Sequence, residues 1–415
     1  MMKECKYIKE IIEKGTVEWP YRFFHQGLEM GRERCFRELE KSGLVGRGGA
    51  AFPTSKKWGS VWDTENVVLI CNADEGEPGT FKDRYIMENN PAFLLESMLL
   101  SAFIVNARAL YIYIRGEYTQ AISLMKKEID QADVVLDAYR EKTGVKLEVE
   151  VVVGQGAYVC GDETSLINSI EGVRPNSRIK PPYPTQKGLF DAPTIVNNVE
   201  TLCNLSLIIR DGGDFFSSLG VEGSRGTKLI SLSGKIKNPG VYEIEMGKVS
   251  LREIIEELGG GIKGDHELKF VIPGGISTQL FVENEIDVMV DYCSLKQAGS
   301  ALGSGAIIVA DETVNAVEMA KNAADFFSKE TCGICFPCKE GNRQIHNMLN
   351  KIYVFEGKRE YLKLIREISE TTSRAARCGL GQSAGNLLVS AIEKIPGDFT
   401  YYLPEIDLDR DEVKK

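Results

Sequence analysis

Hydrophobic positions along this chain repeat at two periods, and the alternation between the two predicts its elements. Residues 1 to 42 mix charged and apolar positions at helical spacing and predict amphipathic helix. NVVLIC (66 to 71) is a short apolar run rich in β-branched residues, which predicts a buried strand. PAFLLESMLLSAFIV (91 to 105) opens with proline and carries apolar residues at helical spacing, the pattern of a helix with Pro at its first position. ALYIYI (109 to 114) reads as strand, YTQAISLMKKEIDQA (118 to 132) as amphipathic helix, and VKLEVEVVVG (145 to 154) as strand ending at a glycine. Strands alternating with helices predict a mostly parallel sheet with helices on its faces. Such sheets bind ligands beyond the carboxyl ends of their strands, which directs attention to the loops after Cys71 and Val153.

The pattern changes near Gly226. TKLISLSGKIKNPGVYEIEMG (227 to 247) predicts two strands around the turn KNPG. LREIIEELGGG (251 to 261) predicts a helix with a glycine stop, and KFVIPGG and GAIIVAD predict strands. This ββαββ-like order suits a small α+β domain. From about residue 313 to 395 the spacing is helical, broken by a cysteine loop and by RCGLGQ, which predicts a C-terminal helical bundle. DLDRDEVKK at the end reads as a solvated tail. The expected divisions are therefore 1–42, 43–225, 226–312, 313–398 and 399–415.

Composition narrows the class. With 415 residues, 43% of them hydrophobic, the chain can build two or three packed cores. A net charge of −10 argues against nucleic acid as a partner, because phosphate neutralisation needs clustered Lys and Arg. No apolar run approaches the ~18 residues of a membrane span, so no membrane insertion is expected. The charged start MMKECKYIKEIIEKG lacks the apolar core of a secretion signal. Ten cysteines spread through such a chain point to reduced thiols and a cytoplasmic location. Cys5, Cys35, Cys71, Cys160, Cys203 and Cys293 are isolated and expected to be small buried hydrophobes.

TCGICFPCKEG (331 to 341) is different, because its three cysteines fall at a spacing of three. Thiolates at C-x-x-C-x-x-C converge when a turn wraps round a metal centre, and three from one loop plus one from elsewhere suits a [4Fe–4S] cube. Cys378, in ARCGLGQ, is the natural fourth, since helices over 339–354 and 358–372 would return the chain to the trio. Zinc also accepts four cysteines, but its ribbons carry two C-x-x-C pairs. The spacing favours iron–sulfur and leaves zinc open.

Three further stretches carry candidate chemistry, and a fourth adds amides. GRGGAA (46 to 51) matches G-x-G-x-x-A but follows a helical stretch rather than a strand, so its glycines are read as exposing backbone N–H groups to an anion or a flat ring. VEVVVGQGAYVCGDETSLINSI (149 to 170) runs from strand through G-x-G into a helix, a better nucleotide context. In CNADEGEPGTFKDR (71 to 84), Asp74, Glu75 and Glu77 crowd carboxylates at a strand's carboxyl end, where they can bond ribose or ribityl hydroxyls, or simply form a solvated loop. TIVNNVETL (194 to 202) offers the amides of Asn197 and Asn198, or a plain loop with a helix cap at Asn198. His25, His266 and His346 form no triad with a nucleophile and are read as structural.

GRGGAAFPTSKKW, CNADEGEPGTFKDRY, GAYVCGDETSLINSIEG, RIKPPYP, NNVETL and CGICFPCKEG together resemble the NADH-binding flavoprotein subunits of respiratory complex I, NAD-linked hydrogenases and formate dehydrogenases. The resemblance runs from about residue 40 to 395, and CGLGQSAGN is closer to the hydrogenase and formate dehydrogenase members. It implies an α/β Rossmann-like flavin domain at 43–225, a ubiquitin-like β-grasp (SLBB-like) domain at 226–312, and a four-helix bundle with a [4Fe–4S] cluster at 313–398. The implied FMN contacts are Gly46, Arg47, Gly48, Lys57, Asn72, Asp74, Glu75, Gly161, Asn197, Asn198 and Thr201. The implied NADH contacts are Phe52, Glu77, Tyr158, Glu163, Lys180 and Tyr183. Cys332, Cys335, Cys338 and Cys378 are the implied cluster ligands. Four positions depart from the family pattern: Ala51 for glycine, Asp162 for glutamate, Ser60 for an aromatic that packs on adenine, and Tyr183 for phenylalanine.

The resemblance further implies hydride transfer between nicotinamide C4 and flavin N5, with no catalytic residue of the protein's own, and one-electron passage to the cluster. Expected partners are a small thioredoxin-like [2Fe–2S] subunit and a larger iron–sulfur or catalytic subunit. Membership of an electron-bifurcating NAD/ferredoxin complex is an alternative within the same class. A non-enzymatic zinc scaffold is the alternative outside it.

Overall fold

A computed structural model describes residues 4–14 and 21–403. The chain divides into two compact units, Met1–Asp311 and Glu312–Lys415. The first unit contains two principal sheets, each with its own core.

The first sheet is wholly parallel, with strands β1 (Val67–Ala73), β2 (Ala107–Ile114), β3 (Glu148–Val153) and β4 (Thr194–Asn198) in the order β3-β2-β1-β4. VVLIC of β1 is buried throughout, as a strand covered on both faces must be. The chain adds β2 and β3 on one side of β1 and returns to add β4 on the other, so the order reverses between β1 and β4. β4 corrects the loop reading of TIVNN. Five residues are too few to display a period, and only the tertiary pairing of Val68–Asn72 with Thr194–Asn198 makes them strand.

Helix Pro91–Val105 has the expected bounds. Asn90 Oδ1 accepts from Phe93 N at 3.0 Å, Pro91 fills the first turn, and Asn106 ends the helix in the left-handed conformation. It is buried on nearly every side between the sheet and helices Arg22–Met30 and Val199–Asp211. Helices Thr54–Gly59, Lys82–Asn89 and Asp133–Thr143 lie in stretches that read as loop or show no clear period.

β5 (Gly220–Val221) and β6 (Ser224–Arg225) form a short ribbon leading into the second sheet. That sheet has β7 (Thr227–Gly234), β8 (Gly240–Glu245), β9 (Leu268–Ile272), β10 (Phe281–Val282) and β11 (Ala306–Asp311) in the order β10-β9-β11-β7-β8. β11 runs parallel to β7, and the other pairs are antiparallel. The expected ββαββ order lacked β10, whose two residues give no pattern. A capping box of Ser250 and Glu253 starts the helix, which turns from α at Leu251–Glu253 to π at Ile254–Leu258 before the glycine stop. Leu251, Ile254, Ile255, Phe281 and Ile307 fill this core. Helix Ile8–Lys14 docks on β8, where the Glu243 carboxylate accepts from the backbone N–H of Tyr7, Ile8 and Lys9 at 2.7 to 2.9 Å.

The second unit is helical. Helix Ala316–Glu330 packs on helices Phe336–Tyr353 and Asn386–Lys394, and helix Glu360–Ala375 packs on the same two. The tail expected from 399 begins inside helix Pro396–Tyr401, and residues 404–415 lie outside those described. Among the described residues no helix is long and apolar enough to cross a membrane. Of the isolated cysteines, Cys35, Cys71, Cys160 and Cys203 are buried, but Cys5 is half-buried and Cys293 is exposed. The buried reading fails for Cys293 because it sits in the first turn of the surface helix Tyr292–Gln297.

Candidate functional site

The carboxyl ends of β1 and β4 bring two predicted segments side by side. Cys71 is in register with Asn197, and Asn72 with Asn198. Asn72 Nδ2 donates to Gly161 O at 3.0 Å, and its Oδ1 accepts from Asp74 N at 3.1 Å. One side chain thus ties the loop after β1 to the G-x-G segment after β3. Asn197 Oδ1 accepts from Trp58 Nε1 at 2.8 Å. A Cβ built on Gly161 would find only Asp74 O, at 4.0 Å, so the surface there is open.

The glycine loop closes over this edge. Gly46 N donates to Phe52 O and Thr54 N to Leu44 O, both at 2.9 Å, which pinches residues 44 to 54 into a loop with a closed neck. Gly48 stands 3.1 Å from Asn198 Cβ when given a Cβ of its own, so any other residue would crowd Asn198. Ala51, the departure from glycine, adopts φ 49°, a conformation that glycine takes more readily. Arg47 points inward. Its N–H donates to Thr201 Oγ1 at 2.8 Å, its guanidinium donates to Arg225 O at 2.5 Å, and its buried Nε has no hydrogen-bond partner among the described residues.

The acidic loop divides its labour. Glu75 Oε1 accepts from Asp83 N at 2.9 Å, while Oε2 accepts from Arg84 N and Tyr118 OH, both at 3.1 Å. Its carboxylate therefore caps helix Lys82–Asn89, and burial, with Asp83 beside it, pushes the group up to about 7. Glu77 meets Tyr158, whose hydroxyl donates to Oε2, and also Ser277, whose N–H donates to Oε1 at 2.9 Å. Burial pushes Glu77 above its ordinary value against those hydrogen bonds. Asp74 is buried in the same loop.

Ser277 belongs to the second sheet's domain, where the sequence places no site residue. Thr80 Oγ1 lies 2.6 Å from Ser304 Oγ, and Tyr292 OH donates to Gly46 O at 3.1 Å. The second domain therefore holds both the acidic loop and the glycine loop. No motif marks Ser277, Tyr292 or Ser304, because their role depends on contacts some 200 positions away in sequence.

On the outer side, Glu163 sits between two cations. Lys180 Nζ lies 2.6 Å from Oε1 and Lys57 Nζ 3.4 Å from Oε2. Burial raises Glu163, but the two lysines outweigh it and hold the group below its ordinary value. Asp162 Oδ2 caps the helix Glu163–Ile170 through Thr164 N and Ser165 N. Phe52 and Tyr183 are 46% and 53% exposed, free aromatic surface of the kind that stacks on a flat ring. Ser60 is exposed and bonds back to Lys57 O at 2.7 Å.

The cysteines belong to the second unit. Cys335 immediately precedes helix Phe336–Tyr353, Cys338 lies in its first turn, and Cys378 immediately precedes helix Gly379–Ser383. Burial raises the Cys338 thiol, and the charges of Cys378, Cys335 and Cys332 push the same way, so all four are electrostatic neighbours. Thr331 Oγ1 and Asn342 Nδ2 lie 3.3 and 3.5 Å from Cys338 Sγ, polar groups that suit a ligated thiolate. A Cβ on Gly381 would meet Cys338 Sγ at 2.9 Å, so the Cys378 segment needs glycine to come close. Among the described residues no three His, Cys, Asp or Glu side chains are placed to hold a metal ion as they stand. The four thiols are neighbours rather than a closed ligand shell. His346, by contrast, is spent on Asn350 at 2.9 Å.

Three family models match successive parts of the chain. Residues 39–207 match the Nuo51 FMN-binding domain, 228–309 the SLBB domain, and 318–402 the NADH-ubiquinone oxidoreductase-F iron-sulfur binding region. The chain is 40% identical over 394 residues to the F subunit of the NADH-quinone oxidoreductase of Aquifex aeolicus, covering 94% of this chain and 91% of that one. It is 40% identical over 371 residues to the HndC subunit of the NADP-reducing hydrogenase of Solidesulfovibrio fructosivorans, covering 88% and 75%. Among solved structures it is similar to the NAD+-reducing [NiFe]-hydrogenase in its H2-reduced state, with a TM-score of 0.84 at 31% identity over 94% of this chain. It spans 65% of that hydrogenase chain.

Proposed function

The chain belongs to the NADH-binding flavoprotein subunits of complex I and the NAD(P)-linked hydrogenases, and from that premise we propose that it exchanges electrons between NAD(H) and partner subunits. It is an oxidoreductase subunit with an FMN domain and a [4Fe–4S] region. When bound, FMN exchanges a hydride with NAD(H) and the cluster carries electrons one at a time. The observation that carries the reading is the meeting of Asn72 and Asn198 at the strand-order reversal, under the glycine loop.

The residues divide as follows. Gly46, Gly48, Gly161 and the Arg47 backbone form a cradle low in side-chain bulk. Asn72, Asn197, Asn198 and Thr201 fix its walls, and Asp74 and Lys57 supply the polar contacts. Glu75 contributes through its backbone, since its carboxylate is occupied at helix Lys82–Asn89. Glu77, Tyr158, Glu163 and Lys180 orient the nucleotide, with Phe52 and Tyr183 stacking on its rings and excluding water. Cys332, Cys335, Cys338 and Cys378 hold the cluster.

The domain divisions proposed are 43–225 for nucleotides, 226–312 for a ubiquitin-like β-grasp domain and 313–398 for a four-helix bundle. The proposed partners are a small thioredoxin-like [2Fe–2S] subunit and a larger iron–sulfur or catalytic subunit, in the cytoplasm. The test is chemical. Purified chain reconstituted with FMN, iron and sulfide should retain all three and reduce a one-electron dye with NADH. Zinc without flavin, or no NADH-dependent reduction, overturns the proposal.

A further inference from the structure

Behind Asn198 lies a buried group of charges that the reaction itself does not call for. Lys82 and Glu200 are each 1% exposed and Lys228 is 0% exposed. Lys228 Nζ lies 2.7 Å from Glu200 Oε2, and Lys82 Nζ lies 3.0 Å from the same oxygen. Lys82 also pairs with Asp83 at 2.6 Å. Burying several charges costs more than packing apolar groups of the same size, so their retention asks for a reason.

The hydrogen bonds supply one. Both ends of the Asn198 amide are held by this group. Oδ1 accepts from Lys82 Nζ at 3.3 Å and from Glu200 N at 3.1 Å, and Nδ2 donates to Asp83 Oδ2 at 2.6 Å. Asn198 in turn abuts Gly48. Glu200 is followed by Thr201, whose hydroxyl holds Arg47 N at 2.8 Å. Glu200 Oε1 is fixed from the other side by Leu229 N at 2.8 Å. Lys228 and Leu229 are on β7, in the second domain. With Lys228 removed, Lys82 would be the one ammonium of this group left between Asp83 and Glu200.

We propose that Lys228 is a positioning residue for the flavin site, acting through Glu200 to set Asn198 and the glycine loop. The SLBB domain is then a working wall of the cradle rather than an appended module. This inference rests on the reading of the β1/β4 edge as the FMN site.

The test uses the full chain. FMN affinity, the midpoint potential of the bound flavin and thermal stability are measured for the wild type, Lys228→Met, and Lys228→Met with Glu200→Gln. FMN binding by the wild type checks the underlying reading separately. Lys228→Met should weaken FMN roughly tenfold or more, because Glu200 loses one of its two buried ammonium partners, and should lower the potential, since the group behind Asn198 is left more negative. The double variant, with both charges gone, should recover most of both. A purely structural strut would lower stability and leave the potential unmoved. If Lys228→Met does not fold, the double variant decides: folding with near-normal FMN affinity supports the proposal. Wild-type affinity and potential in Lys228→Met, or a double variant as impaired as the single one, overturns it.

Discussion

Asn72 of β1 and Asn198 of β4 are register partners on adjacent parallel strands, and each anchors a different loop over the same edge. Asn72 holds the segment after β3 through Gly161 O, and Asn198 backs Gly48. Asn72→Leu keeps the size and removes both hydrogen bonds, at Gly161 O and Asp74 N. FMN affinity should fall by roughly tenfold for two lost polar contacts, with far-ultraviolet circular dichroism unchanged. Titration of the apoprotein with FMN checks it, and an unaltered dissociation constant would remove Asn72 from the site.

The cysteine assignment makes a second prediction. Cys332→Ser, Cys335→Ser, Cys338→Ser and Cys378→Ser should each lose iron and acid-labile sulfide while FMN remains bound. Opening the cube also removes a tie between helices, so the second unit should melt earlier. A full complement of iron in the Cys378 variant would place the fourth ligand elsewhere.

Gly275 tests the clamp on Glu77. It has φ 92°, and a Cβ there would lie 2.5 Å from Glu77 Cγ and Oε1. Gly275→Ala should cost about 1–3 kcal/mol from backbone strain. It should also raise KM for NADH more than it weakens FMN, because Glu77 must move. Unchanged steady-state kinetics with NADH would detach this loop from the nucleotide site.

Stability should depend on pH with a definite sign. Burial, the leading cause in each, pushes Glu75, Glu96 and Glu243 from 4.5 up to about 7. The folded state therefore keeps protons that the unfolded chain has released. The stability these groups contribute is complete below 4.5 and lost as pH rises through about 7. Glu163 and Glu200 are shifted the other way and lose their contribution only as pH falls below 4.5. Tm should accordingly decline between about pH 5 and about pH 8, and Glu96→Gln should flatten that decline. A Tm rising across the interval contradicts the assignment.

Parts of this arrangement are legible in the sequence for identifiable reasons. Helix Pro91–Val105 announces both ends, with Asn90 and Pro91 at one and Asn106 at the other. The cysteine spacing points to its chemistry because thiols at intervals of three have few other uses. β4 is hidden because TIVNN has no period of its own. The buried group of Lys82, Asp83, Glu200 and Lys228 is hidden because charged residues read as surface. Lys228 pairs with Glu200 across 28 positions, and Asn198 with Asp83 across 115. The motif GTFKDR is visible, but nothing in it says that its lysine and aspartate turn inward. Glu75 reads as a ligand because it stands among carboxylates, whereas the folded chain spends its side chain on a helix end.

In the proposed reaction this one chain takes reducing equivalents from NADH into its flavin and passes them to the four-cysteine centre. Anaerobic titration of the reconstituted chain with NADH, followed by optical and low-temperature electron paramagnetic resonance spectroscopy, tests it directly. The flavin should bleach and a paramagnetic signal from a reduced [4Fe–4S] cluster should appear, the latter absent in Cys338→Ser. A flavin that stays oxidised in excess NADH, or one that bleaches while an intact, reducible cluster never accepts an electron from it, would rule out this electron path.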